Sequence, residues 1–236
     1  MDIIKKISEE IGCRTSQTEA AVKLIDEGNT IPFIARYRKE ATGALNDEQL
    51  RTLHERLTYL RNLEDKKAQV IASIEEQGKL TPELRAEIEA AETMVLVDDL
   101  YRPYRPKRKT RATVAKDKGL EGLANIISLQ MTSTPIRTEA EKYVSTEKGV
   151  ETVDDAISGA MDIIAENISD TADYRTKIRD LTTKKGFINT TAKDPNAESV
   201  YEMYYNFSAP ISKMTGYRTL AINRGEKEKF ITVKIE

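Results

Sequence analysis

From Arg102 to Lys118 the chain carries Arg102, Arg105, Lys107, Arg108, Lys109, Arg111, Lys116 and Lys118 against a single acid, Asp117. Lysine and arginine neutralise phosphates and release counterions, which gives salt-sensitive, sequence-independent affinity for a polyanion. Tyr101 and Tyr104 interleave with these cations, and an aromatic ring that stacks on an unpaired base contributes about 1–3 kcal/mol. Arg102, Tyr104, Arg105, Lys107, Arg108, Lys109 and Arg111 are therefore the candidate nucleic-acid contacts. The same residues fit two other uses. Pro103 and Pro106 impose an extended path, so the segment also reads as a solvated connector anchored by its tyrosines, or as a docking strip for a protein. Glu83, Glu87, Glu89, Glu92, Asp98 and Asp99 stand just upstream and are placed to neutralise part of it.

A second basic group, Arg36, Arg38 and Lys39, follows a short predicted helix, where a recognition helix would carry phosphate contacts. These three are secondary nucleic-acid candidates. Against them, Phe33, Ile34 and Tyr37 read as core positions, and Arg36 or Arg38 has Glu40 at hand as a salt-bridge partner. Catalytic patterns are lacking: there is no G-x-S-x-G elbow, no Walker A sequence and no G-x-G-x-x-G. Asp98/Asp99 and Asp154/Asp155 are adjacent pairs that diverge on a helix and make poor metal or acid–base pairs. The lone His54 reads as a boundary or exposed helix position, and Cys13 lies in a turn-like GCRTS without a nucleophile motif. A non-enzymatic protein without cofactor or metal is expected.

The totals narrow the setting. A net charge of -2 over 236 residues excludes a uniformly basic coat protein, so any polyanion must be held by a local patch. With no Trp, 39% hydrophobic and 32% charged residues, the composition favours a soluble, helix-rich chain. One cysteine permits no internal disulfide, and no apolar run is long enough to span a bilayer; a cytoplasmic protein with no membrane partner is expected.

The elements that must position these residues are mainly helical. Short helices are predicted over 2–11, from Ser16 (capping-box spacing with Glu19) to Gly28, and from Thr30 through IPFIARYRKEA, a helix-turn-helix-like start. Asn46 with Gln49 opens a long helix whose Leu50, Leu53, Leu57 and Leu60 form a stripe. That stripe is interrupted by EDKKAQ and resumed by Val70, Ile71 and Ile74. Thr81-Pro82 opens a helix predicted to run to about Asp99. Further helices are predicted over 120–130, 135–143, 153–168, 171–185 and 195–205. The run YRTLAINRGEKEKFITVKI is read as a β-hairpin turning at Asn223-Arg224-Gly225. Such a pair is marginal alone, so it is expected to belong to a larger whole. The organisation is thus a mainly α multi-helix assembly: 1–100 helical with the long helix, 101–118 the basic connector, 119–207 a second helical bundle, and 208–236 a loop and hairpin leading towards further domains.

Three stretches carry a resemblance: TIPFIARYRKEATGALND, DLYRPYRPKRKTRATVAKDKGLEGLA and LAINRGEKEKFITVKI. In that order they resemble the N-terminal part of the bacterial Tex family of transcription accessory proteins, similar in core architecture to the eukaryotic elongation factor Spt6. The resemblance implies a non-catalytic, nucleic-acid-binding factor acting around transcription. Its later RNase H-like, helix-hairpin-helix and S1 domains, the last credited with much of the affinity, would lie outside these residues. It brings no catalytic residue. It implies RNA or DNA, bound without sequence preference, and RNA polymerase or other transcription proteins as partners. The rival reading is a protein-interaction module that positions later domains and binds no nucleic acid itself.

Overall fold

The computed structural model describes residues 2–106 and 108–236. The chain divides at Pro106 into two compact units, each with its own core.

In the first unit, Asp2 accepts from the Lys5 amide to cap α1 (Ile3–Ile11), and Gly12, at φ 73°, ends it. Next comes α2 (Thr15–Asp26), which begins one residue ahead of the expected Ser16 cap. Its start is secured from inside the helix, where Gln17 Oε1 accepts from the Arg14 amide at 3.1 Å. Then α3 (Ile31–Tyr37) takes Pro32 in its first turn. These three pack against α4 (Asp47–Glu76), whose 30 residues at about 1.5 Å each span about 45 Å. Asn46 and Gln49 form the expected capping box.

The stripe on α4 is less interrupted than the sequence suggests. Leu50, Leu53, Leu57, Leu60, Leu63, Val70 and Ile74 are buried, and the gap in the EDKKAQ segment is filled by Lys67, only 3% exposed. Its ammonium donates to Glu64 Oε1 and to the Glu89 carbonyl, both at 2.8 Å, so the charge enters the core only because acceptors meet it there.

The single helix expected from Thr81 to Asp99 is two, α5 (Pro82–Ala90) and α6 (Met94–Tyr101). Ala91 turns extended, and Thr93 caps the second helix by accepting from the Leu96 amide. Tyr59 Oη takes the Met94 amide at 3.1 Å, so the freed backbone of the break is satisfied.

In the second unit, α7 (Arg111–Asp117), α8 (Glu121–Leu129), α9 (Ile136–Glu141) and α10 (Val153–Asp170) enclose a core of Ala112, Ala115, Leu120, Leu123, Ala124, Ala140, Val150, Ala156, Ala160 and Ile163. The small side chains let α7 and α10 approach closely. α11 (Ala172–Lys185) follows, with Lys184 and Lys185 in its last turn.

The C-terminal β structure differs from the expected hairpin. It is a three-stranded antiparallel sheet in the order β2–β1–β3, from β1 (Phe187–Ala192), β2 (Asn206–Pro210) and β3 (Ile231–Ile235), with Thr190 opposite both Phe207 and Val233. The anticipated first hairpin strand is instead helix α12 (Gly216–Lys227). Ile222 and Gly225, three residues apart, face the sheet; Gly225 lets the helix close on Ile231 and Tyr201, each 3.1 Å from where its Cβ would stand. The helix expected over 195–205 is also absent apart from one 3-10 turn, Glu202–Tyr204. Asp194 caps a local turn by accepting from the Asn196 amide, and Tyr205 Oη donates to the Ala197 carbonyl, so side chains satisfy this backbone locally.

Candidate nucleic-acid interface

The basic segment is shaped by three successive backbone states. Arg102–Tyr104 continues α6 as a 3-10 turn, with Pro103 in a position where its missing amide costs nothing. The backbone leaves helical geometry at Arg105, so the extended path expected of both prolines starts later than Pro103. Lys107 lies outside the described residues. The chain becomes helical again when Thr110 caps α7, its hydroxyl accepting from the Thr113 amide at 3.0 Å and donating to Glu166 Oε1 at 3.0 Å.

The two tyrosines are anchors. Tyr101 Oη shares a 2.9 Å hydrogen bond with Ser73 Oγ of α4, and Tyr104 packs on the first core while its carbonyl accepts from Gln77 Nε2 at 3.0 Å. Both rings are half-buried, which leaves little face for a base.

The cations are arranged differently. Arg105, Arg108 and Lys109 are exposed, and among the described residues their side chains form no ion pair or hydrogen bond. Three of the six upstream acids expected to neutralise them are engaged elsewhere: Asp98 with Lys66 at 3.2 Å, Glu92 with Lys6 at 3.0 Å, and Glu89 with Arg85 at 3.9 Å. Arg102 is exposed and has a partner of its own. Arg111 stands at the first turn of α7 and reaches Asp162 of α10 at 3.3 Å.

Between α7 and α10 lies a groove of about 540 Å³, with Lys109, Arg111 and Lys118 among its cations and Val114, Ala115 and Leu120 on its floor. Its acids are committed. Asp162 holds Arg111, while Asp155 accepts from the Thr152 hydroxyl and amide, bonds that keep its carboxyl below the usual range. Lys118 donates to the Gly149 carbonyl at 2.7 Å. Among the described residues no three His, Cys, Asp or Glu side chains gather as a metal site.

The secondary candidates form a separate site in the first unit. Arg36, Arg38 and Lys39 are exposed, and no acid pairs with any of them among the described residues, Glu40 included. Ile34 is core, as expected, but Tyr37 is 60% exposed. Its neighbourhood contains residues that sequence reasoning passed over. Gln17 Nε2 donates to the Thr42 and Gly43 carbonyls at 3.1 and 2.8 Å, and buried Thr42 returns its hydroxyl to the Arg38 carbonyl at 3.2 Å. Gly43, at φ 59°, has Gln17 Nε2 2.6 Å from where a Cβ would stand, so a side chain here would push the Gln17 amide off its two carbonyls. The Thr-Gly pair was the available signal; its partner across 26 residues was not.

Two family models match the chain: the Tex-like protein N-terminal domain over residues 1–75 and the Tex central region-like model over residues 131–236. The chain belongs to the Tex family. The basic segment of this Tex-family chain falls between the two matched stretches. Similar proteins nevertheless align across it. Bacillus subtilis YdcI is 47% identical over 98% of this chain and 33% of that protein. The Transcriptional accessory protein Tex of Neisseria gonorrhoeae is 40% identical over 100% of this chain and 31% of its own length. The human S1 RNA-binding domain-containing protein 1 is 30% identical over 99% of this chain and 24% of its own. This chain therefore spans about a third or less of the curated relatives it matches. Among its described residues no helix is long and apolar enough to cross a membrane.

Proposed function

We propose that this Tex-family chain is a non-catalytic scaffold of a cytoplasmic transcription accessory factor that grips the backbone of RNA or DNA, without sequence preference, through Arg105, Arg108 and Lys109. Lys107, Arg111 and Arg102 lend charge, and Tyr104 holds the strip in place. One observation carries the reading: Arg105, Arg108 and Lys109, close together in the sequence and exposed, have no counter-ion among the described residues, while Asp98, Glu89 and Glu92 upstream are paired with other cations. An unmatched group of this kind is completed by phosphates, and counterion release supplies the affinity. The printed names of two relatives, a transcriptional accessory protein and an S1 RNA-binding domain-containing protein, agree with such a partner.

The test is fluorescence anisotropy of labelled RNA and DNA with the 236-residue chain, at about 50 and 200 mM salt, beside an Arg105→Glu/Arg108→Glu/Lys109→Glu variant. The parent is expected to bind more weakly at the higher salt. The variant is expected to lose most of the affinity and to flatten the log–log salt slope by about 2–3. Equal binding by parent and variant would sink the reading.

One observation favours a second reading, a protein-interaction module that docks RNA polymerase or holds other parts of a longer protein. α11 buries none of its residues and exposes Tyr174, Ile178 and Leu181 along one side. Binding through that face would be nearly indifferent to salt.

A further inference from the structure

We infer that the C-terminal end of α3 is a stacking site for an unpaired nucleobase, Tyr37 supplying the ring and Arg36, Arg38 and Lys39 holding the phosphates on either side. The inference rests on the nucleic-acid reading above and adds to it a preference for single strands at a second, separate surface.

Phe33 and Tyr37, four residues apart, bring their rings to 5.3 Å between centroids. The Arg36 guanidinium lies 5.9 Å from the Tyr37 centroid, and that of Arg38 lies 5.1 Å from Phe33. The rings pack tilted against each other with a cation near each, yet Tyr37 is 60% exposed, so part of its ring is open to solvent. Helix polarity accounts for a cation in the last turn of α3, but not for three cations and an open ring together.

The concavity is about 380 Å³ and is lined by Arg36, Tyr37, Arg38, Lys39, Glu40 and Ala41. The turn that follows its lining residues is built in advance. The Gln17 amide clamps the Thr42 and Gly43 carbonyls, Thr42 bonds back to Arg38, and the Ala44 amide closes on the Lys39 carbonyl at 2.8 Å. A loop fixed in this way loses little entropy on binding. A duplex hides the faces of its bases from such a ring, whereas a single strand offers them.

The experiment compares oligothymidylate and oligouridylate with a duplex of equal length, using the whole chain with Tyr37→Ala, Tyr37→Phe and Arg36→Gln/Lys39→Gln. Thermal unfolding of each variant confirms the fold, which an exposed substitution is expected to leave intact. Tyr37→Ala should weaken single-strand binding about tenfold and leave duplex binding unchanged, while Tyr37→Phe keeps both. The glutamine pair should lower the salt slope with the ring in place. The inference is overturned if Tyr37→Ala binds single strands like the parent, or weakens duplex and single strand alike. Displacement of oligothymidylate by polyglutamate as readily as by unlabelled strand overturns it in favour of an acidic protein partner. If Tyr37→Ala is silent while the Arg105/Arg108/Lys109 variant loses binding, only this inference falls; a parent that binds nothing removes both.

Discussion

Arg56 meets Glu10 through two bonds, at 2.6 and 2.8 Å, with its guanidinium 5.0 Å from the Tyr59 centroid, and Arg61 holds Asp26 by a similar fork at 2.7 and 2.8 Å. These hydrogen bonds draw both carboxyls below their ordinary values of 4.5 and 3.8. A lowered folded value means that the charged form favours the fold. This stability is complete above the ordinary values and is lost as pH falls through the lowered ones. The thermal midpoint of the parent is therefore expected to fall more steeply, as pH drops below these ordinary values, than that of an Arg56→Gln/Arg61→Gln variant. At neutral pH the double variant should be less stable by about 1 kcal/mol, the scale of partly exposed pairs. Parallel curves would assign the acid sensitivity to other carboxylates. Neither pair was legible beforehand, because the partners lie 46 and 35 residues apart.

At the scale of elements, α10 is placed by an absence of side chain. A Cβ on Gly159 would come 2.3 Å from Leu120 Cδ1 and 3.3 Å from Ala115 Cβ. Leu120 is 1% exposed and has nowhere to move. Ala in a helix interior is about 1 kcal/mol better than Gly. Overpacking a close contact costs about 1–3 kcal/mol, so the clash is expected to win. Gly159→Ala should lower the midpoint in denaturant without changing the slope; an unchanged or raised midpoint would show that Leu120 yields. Periodicity found α4 and α10 because a one-sided helix writes its buried face every three or four residues. It failed at α12, where the small residues that let the helix lie against the sheet also resemble a turn. It failed again at Ala91–Thr93, where the break is stabilised by Tyr59 from a different helix.

For the whole molecule, the division into two units falls inside the basic segment, just ahead of Arg108 and Lys109. Both residues are exposed, so limited trypsin digestion is expected to cut there first and release two resistant pieces. Bound RNA or DNA should slow that cut if the segment grips phosphate. Initial cleavage elsewhere, with these bonds intact, would mean that the segment is covered in solution.

The sequence by itself determined the helical class, the long helix with its cap, the local excess of positive charge and the family, since each is written in neighbouring residues. Tertiary structure alone decided which charges remain available. Asp98, Glu89 and Glu92 turn to other cations, Asp162 takes Arg111, and Tyr101 and Tyr104 sink against α4, while Tyr37 stays open. It also joined Phe187–Ala192 to strands on both sides in place of a hairpin. Ion pairing, burial and strand partnership are properties of residues distant in the chain, and only folding sets their distances.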